Sequence, residues 1–254
     1  LGDEPAHIST SIGISLYPQD SADADGMLKN ADQAMYAAKN KGRNCFEFFT
    51  SSMQEDSLVR MSIVNDLRVA LSGKQFRLHF QPIVELADGS IHKAEALVRW
   101  QHPTRGLVSP GGFIRIAEET RMIAEIDDWV FREAVRQSAR WRATHEANFQ
   151  ITVNTSPLQY ERADIDINGW LDHLQAVGLP GAGIAVEITE GRLMETSSEI
   201  RDKLLMFRDA NIQVSLDDFG TGYSSLSYLR KFDIDYLKID QSFVRDIPFD
   251  TNNT

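Results

Sequence analysis

The chain has 254 residues, of which 42% are hydrophobic and 25% are charged, enough apolar mass for one large core or two modest ones. Its formal net charge of −11 disfavours polymeric nucleic acid as a partner, because that partner is itself an anion. Cys45 is the only cysteine, which excludes an internal disulfide bond and a thiolate metal cluster. The sequence has neither a signal peptide nor an apolar run of about 18 residues. We therefore expect no membrane contact within this segment and a cytoplasmic location, while a membrane tether upstream of Leu1 stays open.

The first fifty residues predict a strand, a helix and a second strand. Apolar and polar residues alternate in "HISTSIGISLYP", as in a half-buried strand. "ADGMLKNADQAMYAAKNKG" has apolar residues at helical spacing and ends in Gly42, and "CFEFF" follows as a short strand. We interpret residues 1–50 as the last part of one domain, because they are too few for an independent one. Residues 51–73 predict a helix that joins it to a second domain over residues 74–254.

From Phe76 onwards, predicted strands and helices alternate. The strands are largely apolar, which is typical of a parallel sheet covered by helices. This pattern fits both a closed barrel and an open doubly wound sheet. No GxGxxG follows the first strand, which disfavours a dinucleotide-binding sheet. The predicted strands span residues 76–86, 92–100, 149–156, 183–190, 212–220 and 235–244.

Most of these strands carry a chemically capable side chain at or near the C-terminal end. The carboxyl ends of parallel strands meet at one edge, where active sites of α/β barrels lie. Asp217 and Asp218 would point to opposite faces within a strand, and we expect the turn through Phe219-Gly220 to bring the second one to the same edge. One acidic residue at a strand end is usually solvated or caps a helix, but a series on successive strands indicates a shared polar site. The series is Glu95, Asn154, Glu187, Asp217, Asp218 and Lys238.

The charges in this series predict divalent cations. Four carboxylates are offset by one ammonium group, and unpaired charges in a partly buried site are unfavourable. Carboxylate and amide oxygens suit Mg²⁺ or Mn²⁺, and the sequence does not decide between the two. Two such ions can activate a water for in-line attack at phosphorus. The residues therefore predict a two-metal hydrolytic site.

The same residues resemble the bacterial EAL-domain phosphodiesterases, which hydrolyse the second messenger cyclic di-GMP. The resemblance covers residues from about 76 to 247 and rests on an ordered series: "FQPIV", "EALVRW", "VNTSP", "EITE", "DDFGTGYSSL" and "LKIDQSFV". In residues 8–48, "SIGIS" and "ADQAMYAAKNKGRN" resemble the closing part of a GGDEF domain, as in tandem GGDEF–EAL proteins. The implied fold is α/β: an incomplete modified TIM (β/α)8 barrel with about six of its eight strands and one strand antiparallel. It would follow the C-terminal strand, helix and strand of the GGDEF domain.

The resemblance implies a role for each residue of the site. Glu95, Asn154, Glu187 and Asp217 would bind metal, Asp218 would contact the second metal, and Lys238 would orient the attacking water. Gln81 and Arg99 would bind cyclic di-GMP. Glu190, Phe219, Gly220 and Thr221 would support the loop that joins the metal site to a homodimer contact.

The two ends of the sequence depart from the family pattern. The chain begins at Leu1 rather than Met and ends at Thr254, just after the sixth barrel strand. We therefore expect a chain truncated at both ends and inactive as it stands, without the last two strand–helix units and their Glu and Gln. Thr155 stands where the family often has Leu. "GGDEF" itself does not occur, so cyclase activity cannot be assigned to this chain.

Two other functions stay open at this point. The first is a degenerate EAL domain that binds cyclic di-GMP as a sensor without cutting it, and the complete set of ligands in the covered region favours the enzyme over it. The second is an unrelated metal-dependent barrel acting on a carboxylate substrate, which would require the ordered motifs to be coincidental.

Overall fold

The structure is a computed structural model that describes residues 8–156, 158–161, 167–189, 198–220 and 234–245. The chain forms two compact units, residues 1–66 and residues 67–254. The boundary between them falls inside a helix. Within the described ranges, every helix is too short or too polar to cross a membrane.

The first unit is built on two short parallel strands joined by a helix. Strand β1 (Ile12–Ile14) pairs with β2 (Phe46–Phe48), and α1 (Ala24–Asn40) connects them. The Asp23 carboxylate accepts a hydrogen bond from the Gly26 amide and thereby caps α1. The next helix, α2 (Ser51–Ala70), lies where the sequence predicts a helix over residues 51–73.

The second unit contains one mixed sheet with helices between its strands. The elements are β3 (Phe76–Val84), β4 (Ile91–His102), β5 (Gly106–Val108), α3 (Ile114–Glu119), α4 (Ile123–Thr144), β6 (Gln150–Asn154), α5 (Leu158–Glu161), α6 (Ile167–Val177), β7 (Ile184–Thr189), α7 (Ser198–Asp209), β8 (Gln213–Phe219) and β9 (Tyr236–Ile239). The strand order is β3-β4-β6-β7-β8-β9, with β5 paired to β4. The pairs β3–β4 and β4–β5 are antiparallel and all others are parallel.

The sheet confirms the predicted α/β class. Strand β3 runs antiparallel to β4, in agreement with the one antiparallel strand that the resemblance implies, and the short β5 also pairs antiparallel with β4. In the part of the chain that the structure describes, β3 and β9 are the two ends of the sheet, so it is open rather than a closed barrel. The parallel pairing sets the carboxyl ends of β4, β6, β7, β8 and β9 along one edge. That edge is where the predicted site residues lie.

The main core lies between this sheet and its helices. Alternate residues of β4, Ala94, Ala96 and Trp100, are buried on the helix-facing side. The Trp100 ring contacts Phe113, with 5.6 Å between ring centroids, and its Nε1 donates a hydrogen bond to Gln75 Oε1 at 2.9 Å. The intervening residues of β4 therefore face away from the helices, on the side that carries the site.

Two segments differ from the sequence prediction. Strand β5 was not predicted; Gly106, with φ +71°, returns the chain against β4. The last strand was predicted to reach residue 244 but ends at Ile239, because the Asp240 carboxylate accepts the Ser242 amide at 2.9 Å and starts a 3₁₀ turn over Gln241–Phe243. The short helix predicted in "SSLSYLRKF" lies outside the described residues.

Candidate active site

Lys238 lies at the centre of the carboxylates that the sequence singled out. Its Nζ donates to Glu187 Oε2 at 2.5 Å and to Glu95 Oε2 at 3.1 Å, and lies 3.4 Å from Asp217 Oδ1. These side chains come from four strands, β4, β7, β8 and β9. The structure therefore brings together at one point residues that are up to 143 positions apart.

Asn154 joins the same cluster from the end of β6. Its Nδ2 donates a hydrogen bond to Glu95 Oε1 at 2.6 Å. In the β6–β7 register Asn154 stands opposite Glu187. The amide therefore extends the cluster to a fifth strand and leaves its own carbonyl oxygen as a further acceptor.

A β-bulge determines how the adjacent aspartates are presented. Leu216 pairs with Leu237 and Phe219 pairs with Ile239, so Asp217 and Asp218 both stand opposite Lys238. Asp218 has φ +55°, a left-handed conformation that costs free energy for a residue other than glycine. The sequence placed the change of direction at Phe219-Gly220, but the structure begins it one residue earlier, at Asp218.

Gly220 follows the bulge and has no room for a side chain. Its φ is +100°, and a Cβ added there would lie 2.6 Å from Cε2 of the Phe243 ring. Phe243 belongs to the 3₁₀ turn that Asp240 caps. The contact therefore links the end of β8 to the turn after β9, next to both aspartates and Lys238.

Burial and charge act in opposite directions in this cluster. Burial raises the pKa of Glu187, which is 2% exposed, to about 7, although the hydrogen bond from Lys238 acts to lower it. Burial alone would lower the pKa of Lys238, but its hydrogen bond to Glu187 and the nearby carboxylates outweigh it and raise the value. Burial, followed by the charges of Asp217 and Asp240, raises the pKa of Asp218. The site thus holds more negative charge than one ammonium group balances.

Gln81 and Arg99 lie on the same sheet face as the cluster. Gln81 stands directly opposite Glu95 in the β3–β4 register. Arg99 lies four residues after Glu95 on the same strand, so its side chain alternates to the same side. Glu190 and Thr221, which the sequence assigned to loop support, lie outside the described residues.

A second set of hydrogen bonds holds the residues after Asn154. The amide and hydroxyl of Thr155 both donate to the Glu187 carbonyl oxygen, at 3.0 and 2.9 Å. The next amide, that of Ser156, donates to Asp127 Oδ2 at 2.9 Å. Burial raises the pKa of Asp127 to about 8.

Sequence reasoning did not identify two of the carboxylates near the site. Asp127 interrupts the apolar stripe of α4 beside Ile126. A carboxylate within such a stripe is a sequence signal that could have identified it as a buried polar residue. Asp240 stands two residues after Lys238, and its position at a strand end was the signal there.

The chemistry of the cluster suits a hard divalent cation, although its geometry is set by the lysine. Among the described residues, no three histidine, cysteine, aspartate or glutamate side chains are spaced to hold a metal ion by themselves. The carboxylates are instead arranged around the Lys238 ammonium group at N–O distances of 2.5–3.4 Å, whereas Mg²⁺–oxygen bonds are about 2.0–2.1 Å long. The donors themselves are three carboxylates and one amide, with excess negative charge. That donor set fits Mg²⁺ or Mn²⁺.

Comparison with known families identifies both parts of the chain. Residues 64–254 match the EAL domain family, and residues 1–45 match the family described as "Diguanylate cyclase, GGDEF domain". Because the first match covers well over half of the sequence, the chain belongs to the EAL domain family.

Named relatives support the same placement. The chain is 39% identical over 241 residues to the cyclic di-GMP phosphodiesterase NbdA of Pseudomonas aeruginosa, covering 95% of this chain and 31% of NbdA. It is 41% identical over 242 residues to the cyclic di-GMP phosphodiesterase PdeR of Escherichia coli, covering 95% of this chain and 36% of PdeR. The chain thus spans about a third of the length of these curated relatives.

A solved structure shares the fold. The phosphodiesterase PaMucR in complex with c-di-GMP superposes with a TM-score of 0.71 and 36% identity, over 76% of this chain and 77% of PaMucR.

Proposed function

We propose that the protein containing this chain hydrolyses cyclic di-GMP to linear pGpG. The observation that carries the proposal is the convergence of Glu95, Glu187 and Asp217 on one point in a chain of the EAL domain family. The names of NbdA and PdeR and the ligand of the PaMucR complex support the substrate.

Divalent cations would complete this site. Glu95, Asn154, Glu187 and Asp217 would hold one Mg²⁺ or Mn²⁺, and Asp218 would contact a second. When bound, such ions supply a water with a lowered pKa and neutralise negative charge at phosphorus.

The residues of the chain position the reaction. Because its pKa is raised, Lys238 stays protonated at neutral pH and acts as a hydrogen-bond donor rather than as a base. In that state it can orient the attacking water. Gln81 and Arg99 would bind the substrate, with the Arg99 guanidinium suited to a phosphate group. The water oxygen forms the new bond to phosphorus as the bond from phosphorus to the 3′ oxygen breaks, and the leaving 3′ oxygen takes up the proton that the water releases.

Three further expectations stay proposals. The protein would work in the cytoplasm as a homodimer through its EAL domain, with the loop from Phe219 supporting the contact. Its domains would be residues 1–50, a linker helix over 51–73, and an EAL domain from residue 74. Sedimentation of the full-length protein, with and without cyclic di-GMP, would check the dimer.

Turnover by the full-length protein tests the proposed function. Incubated with cyclic di-GMP and Mg²⁺ or Mn²⁺, it should produce pGpG, and a chelator should stop the reaction. Binding of cyclic di-GMP with no product under any of these conditions would favour the sensor function instead. Neither binding nor product would reject both.

A further inference from the structure

A pair of arginines faces each other on the site side of β3 and β4. In the antiparallel register Arg77 stands directly opposite Arg99, as Gln81 stands opposite Glu95. Residues in such opposite positions project from the same face of the sheet. The arginine pair and the Gln81–Glu95 pair therefore lie on one face, four residues apart. At about 3.4 Å per residue, this separates their Cα atoms by roughly 14 Å.

This pairing sets two like charges directly opposite each other in the register. Like charges directly opposite each other destabilise a sheet. Arg77 Nη1 donates to the carbonyl oxygens of Lys74 and Phe76, at 2.7 and 2.6 Å, and Arg99 Nη1 donates to that of Val98 at 2.9 Å. Within the described ranges the structure shows no ion pair for either arginine.

Two helical arginines of the same unit do have a carboxylate partner. Arg115 pairs with Glu119 and Arg132 with Asp128, each through a short contact on its own helix. In a chain of net charge −11, carboxylate partners are abundant. Two facing arginines that lack a carboxylate partner therefore indicate a position at which an anion from outside the chain would bind favourably.

We infer that Arg77 is a second substrate-binding arginine, which contacts a phosphate of the cyclic dinucleotide together with Arg99. The assignment rests on the proposed function and extends it to a residue outside the ordered motifs. The ligand has two phosphates, and the carboxylate cluster acts on one of them. A guanidinium group binds phosphate through a planar fork of N–H donors, and only one nitrogen of Arg77 is engaged with the backbone.

A purely structural role for Arg77 makes a different prediction. The two backbone hydrogen bonds of Arg77 could serve only to fix the turn before β3, where Lys74 has φ +51°. Loss of the Arg77 side chain would then lower thermal stability and leave the affinity for cyclic di-GMP unchanged. Affinity and stability must therefore be measured on the same variants.

The test compares Arg77→Gln with Arg140→Gln in the full-length protein. Arg140 is an exposed arginine on α4, so its variant makes the same change of charge away from the site face. Binding of cyclic di-GMP is measured at equilibrium in the presence of a chelator, and turnover is measured separately with Mg²⁺. We expect Arg77→Gln to raise Kd and KM about tenfold, with a much smaller change in kcat, and to weaken the salt dependence of Kd. Arg140→Gln should match the wild type.

The outcomes separate this inference from the proposed function. A wild type that binds cyclic di-GMP but never cleaves it, with binding weakened by Arg77→Gln, would reject the function and support the arginine pair. An Arg77→Gln protein that binds with wild-type affinity would overturn the inference, whether or not its melting temperature falls. Arg77→Lys keeps the positive charge but lacks the planar guanidinium fork, so its affinity for cyclic di-GMP should lie between those of the wild type and Arg77→Gln.

Discussion

The two faces of strands β3 and β4 have opposite character within the same twenty-odd residues. On the helix-facing side, Phe76 and Trp100 are almost completely buried and their rings lie 6.1 Å apart. On the other side, Gln81 and Glu95 face each other across the register, beside the ammonium group of Lys238. The alternation of a strand thus assigns stability to one set of residues and chemistry to the other.

The side chains of the site therefore contribute little to apolar burial, and the apolar side chains of the core contribute no polar group to the site. The helix-facing side is stabilised by apolar burial, which responds to side-chain volume. The site side is held by charge, which responds to protonation and to bound cations. Changes on the two faces should therefore have separable consequences.

The largest expected effect is on catalysis, from Glu187→Gln. This change keeps the size of a buried side chain and removes a charge that both Lys238 and a metal ion would use. We expect turnover of cyclic di-GMP by the full-length protein to fall at least about 1,000-fold, equivalent to about 4 kcal/mol. The melting temperature should change little or rise.

Glu85→Gln is the matched control, because Glu85 is exposed at the turn between β3 and β4. Turnover by Glu187→Gln within tenfold of the Glu85→Gln protein would contradict a role for Glu187 in the reaction.

The opposite face should respond in stability. Trp100→Ala removes a fully buried ring that contacts Phe113 and leaves Gln75 without its hydrogen-bond donor. We expect the free energy of unfolding to fall by about 3–5 kcal/mol, measured by urea denaturation followed by circular dichroism. Gln101→Ala, at the exposed next position of β4, should cost less than about 1 kcal/mol. Equal losses from both variants would contradict the division between faces.

A pH series sharpens the comparison, because Asp127 is a carboxylate buried among the helices rather than beside a cation. Burial raises its folded-state pKa to about 8, above the unfolded value of 3.8. Between these two values the folded state holds a proton that the unfolded state has released. The free energy of unfolding therefore falls as pH rises, by up to about 1.4 kcal/mol per pH unit from this group.

Asp127→Asn should remove this contribution while its side-chain oxygen can still accept the Ser156 amide. We expect the melting temperature of the variant, relative to wild type, to increase steadily from pH 5 to pH 8. Asp172→Asn, on the exposed side of α6, should show no such trend. A constant difference for Asp127→Asn across this range would show that the carboxyl is not protonated in the folded protein.

The smallest expected effect concerns the position of the two aspartates. Gly220→Ala places a methyl group against the Phe243 ring at a backbone φ of +100°. Gly89 also has a positive φ, +76°, but a Cβ added there would have no other atom within 4 Å, so Gly89→Ala is the matched control. We expect both variants to lose about 1 kcal/mol of stability from the backbone. Only Gly220→Ala should lower turnover, by about tenfold. Equal turnover of the two variants would show that the contact between Gly220 and Phe243 does not position the catalytic residues.

The sequence predicted the alternation of strands and helices and the converging residues because both follow from local regularities. Predicted apolar strands alternated with predicted helices along the sequence. A polar side chain stood near the end of each of four strands: Glu95, Asn154, Glu187 and Asp217. Parallel pairing then brings those ends together without further information.

The parts that were missed depend on contacts between distant residues. The bulge that sets both Asp217 and Asp218 opposite Lys238 is a property of the β8–β9 register, not of either strand alone. Similarly, Asp127 becomes significant only because the Ser156 amide reaches it from another element. Such contacts leave only faint signals in a single sequence.

The central claim is that these carboxylates form a divalent-cation site, and diffraction from crystals of the full-length protein grown with Mn²⁺ tests it most directly. Anomalous scattering should show manganese within about 2.2 Å of oxygens from Glu95, Asn154, Glu187 and Asp217, with the Lys238 ammonium displaced from between the carboxylates. Crystals with no anomalous signal there, and with Lys238 still joining Glu95 to Glu187, would contradict it.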